Sequence, residues 1–120
     1  MTHEELVLVV EDDLDTAEAL ADLLGLRGYR AVVTRNGQEA LDLLRSGGRP
    51  CLILLDIMMP VKNGWALREE LLADGELATI PVVVVTADMA AIARATSLRI
   101  PLLPKPIDPA KLIAAVELYC

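Results

Sequence analysis

The chain has 120 residues, enough for one domain with a single sizeable core, and its 18 acidic against 11 basic residues give a net charge of −7. The basic residues are scattered singly, so direct nucleic-acid binding, which needs clustered Lys and Arg against phosphate, is not expected. Aromatic residues are only 2% of the chain, so the core must be built from Leu, Val, Ile and Ala, and no apolar run approaches the roughly 20 residues of a membrane helix.

The N-terminus carries Glu4 and Glu5 where a signal peptide would be basic. His3, the one histidine, lies in this polar tail with no ordered element to position it for catalysis. Leu6–Val10 is a short unbroken apolar run, as expected of a strand covered on both faces. Leu14 to Leu26 follows with Ala17, Leu20, Ala21 and Leu24 at helical spacing; Asp15 with Glu18 suggests a capping box, and Gly28 closes the helix. Tyr29–Thr34 is a second strand. Asn36 with Glu39 repeats the capping pattern before a helical stripe of Ala40, Leu41 and Leu44. Cys51–Leu55 is a third strand ending at Asp56, and a helix spans about Gly64 to Ala73. Pro81–Val85 is the most β-branched stretch of the chain. A helix from about Asp88 to Thr96, a short strand Ile100–Leu103 and a helix opened by Asp108-Pro109 complete the sequence.

Five alternations of strand and helix predict an α/β fold, a doubly wound (βα)5 parallel sheet with right-handed crossovers, as one domain over residues 1–120. In such sheets ligands bind outside the carboxyl ends of the strands. Those positions hold Glu11, Asp12 and Asp13 after the first strand, Asp56 after the third, Thr86 after the fourth and Lys105 after the fifth. Several carboxylates in one site repel each other, and a cation offsets the charge. A few oxygens completed by water suit Mg²⁺, held by Asp12 and Asp56 with Glu11 close by. Lys105 and Thr86 add positive charge and a hydroxyl donor, which is what phosphoryl transfer requires, and an aspartate can be its nucleophile. Asp56 is the central candidate.

Glu11-Asp12-Asp13 after an apolar strand, Asp56-Ile57-Met58-Met59-Pro60, Gly64, Thr86-Ala87 and Lys105-Pro106 resemble, in order and over essentially the whole chain, the receiver domains of two-component response regulators. The resemblance implies Asp56 as phosphoacceptor, Glu11 and Asp12 as the acidic pair, and the Met58 backbone carbonyl as a further metal ligand. Lys105 would contact the phosphoryl group, the Lys105–Pro106 bond would be cis, and Thr86 would turn inward on phosphorylation. Strand order 2-1-3-4-5, the flavodoxin-like arrangement, follows by the same resemblance. So do a cytoplasmic location, a sensor histidine kinase or phosphotransfer protein as donor, and a downstream effector protein or domain as recipient.

Two features depart from the family pattern. Leu102 stands where receivers usually carry Tyr or Phe, three residues before the lysine. The stretch from Thr86 to Lys105 is also short, which predicts a shortened or partly melted fourth helix. That helix is apolar most of the way round, with Met89, Ala90, Ala91, Ile92, Ala93 and Ala95, so either it packs differently, buried on more than one side, or, as preferred, the face of fourth helix, fifth strand and fifth helix is a partner or homodimer surface.

A switch is the leading function, with slow self-dephosphorylation and no turnover as an enzyme. An interaction module that keeps the fold without phosphorylation is disfavoured by the full set Glu11, Asp12, Asp56, Thr86 and Lys105. A dehalogenase-type phosphatase would need a second Asp where Met58 stands, and a flavodoxin a phosphate-cradling loop where three acids stand. Cys51 and Cys120 have no metal-like spacing. Cys51 is expected as a small core residue and Cys120 as a mobile one, both compatible with a reducing cytoplasm. The chain stops soon after its last helix, so it is expected to be either a stand-alone receiver or an excised domain.

Overall fold

The computed structural model describes residues 5–59 and 61–120; His3 and Pro60 lie outside them. The order is β1 (Leu6–Val10), α1 (Leu14–Leu26), β2 (Arg30–Thr34), α2 (Gly37–Arg45), β3 (Leu52–Asp56), α3 (Gly64–Ala73), a 3₁₀ turn (Leu77–Thr79), β4 (Val82–Thr86), α4 (Met89–Ser97), β5 (Leu102–Pro104) and α5 (Pro109–Tyr119). The strands form one parallel sheet in the order β2-β1-β3-β4-β5, as expected.

The two-residue period of the strands divides the core in two. Leu8 and Val10 of β1, Ile53 and Leu55 of β3 and Val84 of β4 point to one face, where Leu41, Leu44, Leu67, Leu71 and the small Ala91 and Ala95 of α2, α3 and α4 cover them. Val7, Val9, Leu52, Leu54, Val83 and Val85 point to the other, under Leu20 and Leu24 of α1 and Leu112 and Val116 of α5. All five residues of β3 are buried, which is why this strand reads as a continuous apolar run. Each full burial of a Leu or Val contributes about 1.5–3 kcal/mol, so the central strands β1 and β3 are the firmest part of the frame.

Four helices begin with the side chain of an Asp or Asn accepting a backbone N–H: Asn36 from Glu39, Asn63 from Ala66, Asp88 from Ala91 and Asp108 from Ala110. The cap of α1 is Asp13, accepting from Thr16, and not the Asp15–Glu18 pair. The helix starts two residues earlier than that box requires, because Asp13 already has the extended backbone of a cap.

The fourth helix is short but continuous, nine residues from Met89 to Ser97, with no melted turn. It buries only Ala91 and Ala95, so its apolar character comes from exposed alanines and an exposed Met89, and a second buried side is absent. The cysteines overturn the expectation of separate thiols. Cys51, just before β3, is disulfide-bonded to Cys120, just after α5, with Cα atoms 5.4 Å apart. Their separation of 69 residues in sequence hid the pairing; α5 returning along the sheet brings them together.

Candidate functional site

Strand order reverses between β1 and β3, and the predicted residues converge at the carboxyl ends there. Glu11 follows β1, its amide bonded to the Thr34 carbonyl of β2 at 3.0 Å. Asp56 ends β3, in register with Val85 of β4. Thr86 ends β4, and its carbonyl accepts the Lys105 amide at 2.9 Å, which fixes the residue after β5 beside it. Glu11, Asp56 and Thr86 are buried at 2%, 4% and 1% exposure. Asp12 faces solvent.

Glu11, Asp12 and Asp56 each offer a carboxylate oxygen, and these atoms lie within 4.8 Å of one another. Lys105 Nζ donates to Glu11 Oε1 at 2.5 Å and stands 3.8 Å from Asp56 Oδ1. The Met58 amide donates to the same Asp56 oxygen at 3.3 Å. Burial, followed by a side-chain hydrogen bond with Glu11 and the charge of Glu11, pushes the Asp56 pKa up to about 7, against the opposing pull of Lys105 and the Met58 amide. Burial disfavours the charged form of Lys105, but the Glu11, Asp56 and Asp12 carboxylates outweigh it and hold that pKa above the usual lysine value. The site as it stands is short of positive charge. Hard carboxylate oxygens at this spacing fit a small divalent cation.

The remaining predicted residues take distinct positions. Met58 lies in the loop after β3 with an exposed side chain, while Met59 is buried in the core. The Thr86 hydroxyl accepts from the Asp88 amide at 3.1 Å, tying it to the cap of α4. The Lys105–Pro106 peptide is cis, as the resemblance implied. Leu102 is half-buried against the α2–α4 side of the core.

Two features carry more than the sequence revealed. A Cβ on Gly64 would lie 2.6 Å from the Asp56 carbonyl oxygen and 2.9 Å from Ile57 Cα. Only glycine lets the start of α3 press against the end of β3, and the Gly64 amide bonds there to the Ile57 carbonyl at 3.0 Å. Trp65 is partly buried against the core and carries the Arg94 guanidinium 4.3 Å from its ring centroid. It links α3 to α4. Beside the acidic cluster an apolar cavity of about 700 Å³ opens between α1 and the loop after β5, lined by Thr16, Leu20, Leu23, Lys105, Pro106 and Ile107 among others.

The sequence profile of the response regulator receiver domain matches residues 7–117. The polar-differentiation response regulator DivK of Brucella anthropi is 46% identical over 81 residues, covering 68% of this chain and 65% of that protein. The chain thus spans just under two-thirds of that relative's length. Among solved structures, the receiver domain of a signal transduction histidine kinase from Syntrophus aciditrophicus superposes with a TM-score of 0.86 at 34% identity, over 96% of this chain and 89% of that one. A response regulator receiver protein from Pseudomonas putida does so with a TM-score of 0.85 at 31% identity, over 98% of each chain. A profile running from β1 into α5 makes this chain a member of the response regulator receiver domain family of two-component signalling.

Proposed function

We propose that the chain is a cytoplasmic phosphorylation-controlled switch, with Asp56 as phosphoacceptor. The observation that carries this reading is the convergence of Glu11, Asp12 and Asp56 within 4.8 Å, with the Lys105 ammonium 3.8 Å from Asp56. An Asp56 oxygen attacks the phosphorus of a kinase or phosphotransfer-protein phosphohistidine. The new O–P bond forms as the P–N bond breaks, and the departing imidazole takes up a proton. Lys105 and the Met58 amide are placed to meet the charge that develops, and Thr86 is placed to offer its hydroxyl. Glu11, Asp12, Asp56 and the Met58 backbone carbonyl would hold Mg²⁺. When bound it supplies neutralisation of the clustered carboxylates and of the phosphoryl oxygens. The apolar cavity between α1 and the Lys105–Ile107 loop gives a phosphodonor helix a surface next to Asp56.

Readout runs through the α4-β5-α5 face. Thr86 turning toward the phosphoryl group would release the Asp88 amide at the cap of α4. Exposed Met89 of α4 and Leu118 of α5 offer apolar side chains to an effector or a second copy of the chain. Slow hydrolysis of the aspartyl phosphate resets the switch.

Incubation with acetyl phosphate and Mg²⁺, read by intact mass, tests the reading. A phosphate-sized gain that disappears in Asp56→Ala is expected. No gain in the wild type would assign the fold to a binding module without phosphorylation. Light scattering after size exclusion, with and without beryllofluoride, reads whether the apolar face pairs two copies.

A further inference from the structure

The disulfide stands at the opposite end of the sheet from the acidic site, and its placement follows from element lengths. Cys51 precedes Asp56 by five residues of chain, and at ~3.3 Å per residue that is ~17 Å of strand. From Pro109 to Cys120 the helical rise of ~1.5 Å per residue also gives ~17 Å. Strand and helix are matched, so α5, which starts just after Lys105 near Asp56, ends over the foot of β3. Leu112 and Val116 pack into the same core as Leu52 and Leu54, and the Cα atoms of the two cysteines are 5.4 Å apart, well inside disulfide reach. β3 is therefore held at both ends: at one by Lys105, in the loop that leads into α5, toward Asp56, and at the other by the two sulfurs, to the end of α5.

We propose that Cys51 and Cys120 form a redox-responsive pair, whose oxidation staples α5 to the foot of β3 and whose reduction releases the last turn of that helix. Two observations support it. Both cysteines are only partly buried, so a small oxidant or reductant reaches them. Cys51 is anchored to the sheet centre, its amide bonded to the Leu6 carbonyl of β1 at 2.8 Å, so the staple holds α5 to the stiffest part of the fold. In a reducing compartment such a bond is transient and responsive, not a permanent brace.

Oxidation is thiol–disulfide exchange with a low-molecular-weight disulfide as oxidant. One cysteine thiolate attacks it and expels a small thiolate. The second cysteine then displaces the other small thiolate from the mixed disulfide, so the two thiols lose two hydrogens and the oxidant becomes two thiols.

The test uses the full chain equilibrated in reduced or oxidised glutathione, read by intact mass, thiol alkylation, thermal melting and hydrogen exchange of peptides covering 109–120. The oxidised wild type is expected to be monomeric, two hydrogens lighter and closed to alkylation. It should melt roughly 10 °C or more above the reduced form, since the bond closes a long loop, with slower exchange in α5. Cys51→Ser and Cys120→Ser, singly and together, should abolish the redox dependence of melting and exchange. Phosphorylation of Asp56 by acetyl phosphate in the double variant separates this proposal from the function of the acidic site. Thiols that stay alkylatable in oxidised glutathione, a disulfide found only between copies, or α5 exchange equal in both states would overturn it. So would stoichiometric Zn²⁺ binding by the reduced thiols with no disulfide on oxidation.

Discussion

Lys105 lies closer to Glu11 than to Asp56: its ammonium donates to Glu11 Oε1 at 2.5 Å and stands 3.8 Å from Asp56 Oδ1. Glu11 is almost wholly buried, so Lys105 is its principal compensation in the metal-free protein. A phosphoryl group on Asp56 carries more charge than the carboxylate and would draw the ammonium across.

Lys105→Ala is therefore expected to do two things. It leaves buried carboxylates without a cation and lowers stability at pH 8 in the absence of divalent metal by about 2 kcal/mol, with Mg²⁺ restoring part of the loss. It also slows loading of Asp56 from acetyl phosphate by roughly 10-fold or more, because a donor to the developing charge is gone. Urea unfolding with and without Mg²⁺ reads the first effect, and intact mass against time the second. Unchanged stability would mean that solvent already compensates Glu11.

The pH dependence of the site has a definite sign. Asp56 is raised from the usual carboxylate value of 3.8 to about 7, with Glu11, Asp12 and Lys105 as its charged neighbours. The folded state then holds a proton that the unfolded state has lost. This contribution to metal-free stability is fully present below about pH 4 and is lost as pH rises through about 7. Mg²⁺ competes with that proton, so its affinity should strengthen from pH 5.5 to pH 8, and the melting shift it produces should grow in step. Asp56→Asn should remove most of this dependence and raise metal-free stability at pH 8. Calorimetric titration of Mg²⁺ at several pH values checks it; an affinity flat across that range would contradict the raised pKa.

Gly64→Ala tests the close approach of α3 to β3. The added methyl would meet the Asp56 carbonyl and the Ile57 backbone, neither of which is a flexible side-chain tip. A loss of about 1–3 kcal/mol is expected, with slower phosphorylation because the end of β3 must shift. Gly75→Ala, where nothing lies within 4 Å, should stay within about 0.5 kcal/mol of wild type. Equal behaviour of the two variants would show that the end of β3 yields freely.

How far these features could be read in the sequence depended on whether their cause is local. The apolar runs of β1, β3 and β4 gave both the strands and the parallel sheet, because strands covered on both faces have no polar period to obscure them. Asp56, Thr86 and Lys105 were legible because each stands at or just past the end of such a run. The cap of α1 was misplaced by two residues because Asp13 and Asp15 are chemically alike and only backbone angles separate them. The Cys51–Cys120 bond, the Trp65–Arg94 contact and the crowding at Gly64 were not legible. Each depends on how separate elements are juxtaposed, which the local pattern does not encode.

Trp65 and Arg94 give the readout of the switch a measurable form. With Leu102 where the family usually carries an aromatic residue, the bridge from α3 to α4 rests on the Arg94 guanidinium over the one tryptophan of the chain. Such a contact contributes about 0.5–1 kcal/mol when partly exposed, so it can hold α4 yet yield to a modest rearrangement. Thr86 is tied to the cap of α4 through the Asp88 amide, so a turn of Thr86 toward a phosphoryl group would disturb the helix on which Arg94 sits. Beryllofluoride with Mg²⁺ is expected to change the Trp65 emission of the wild type. Arg94→Ala should alter the emission before any addition, lower stability by roughly the same 0.5–1 kcal/mol, and abolish most of the beryllofluoride response. An emission change equally large in Arg94→Ala would place its origin in Trp65's other surroundings and not in the movement of α4.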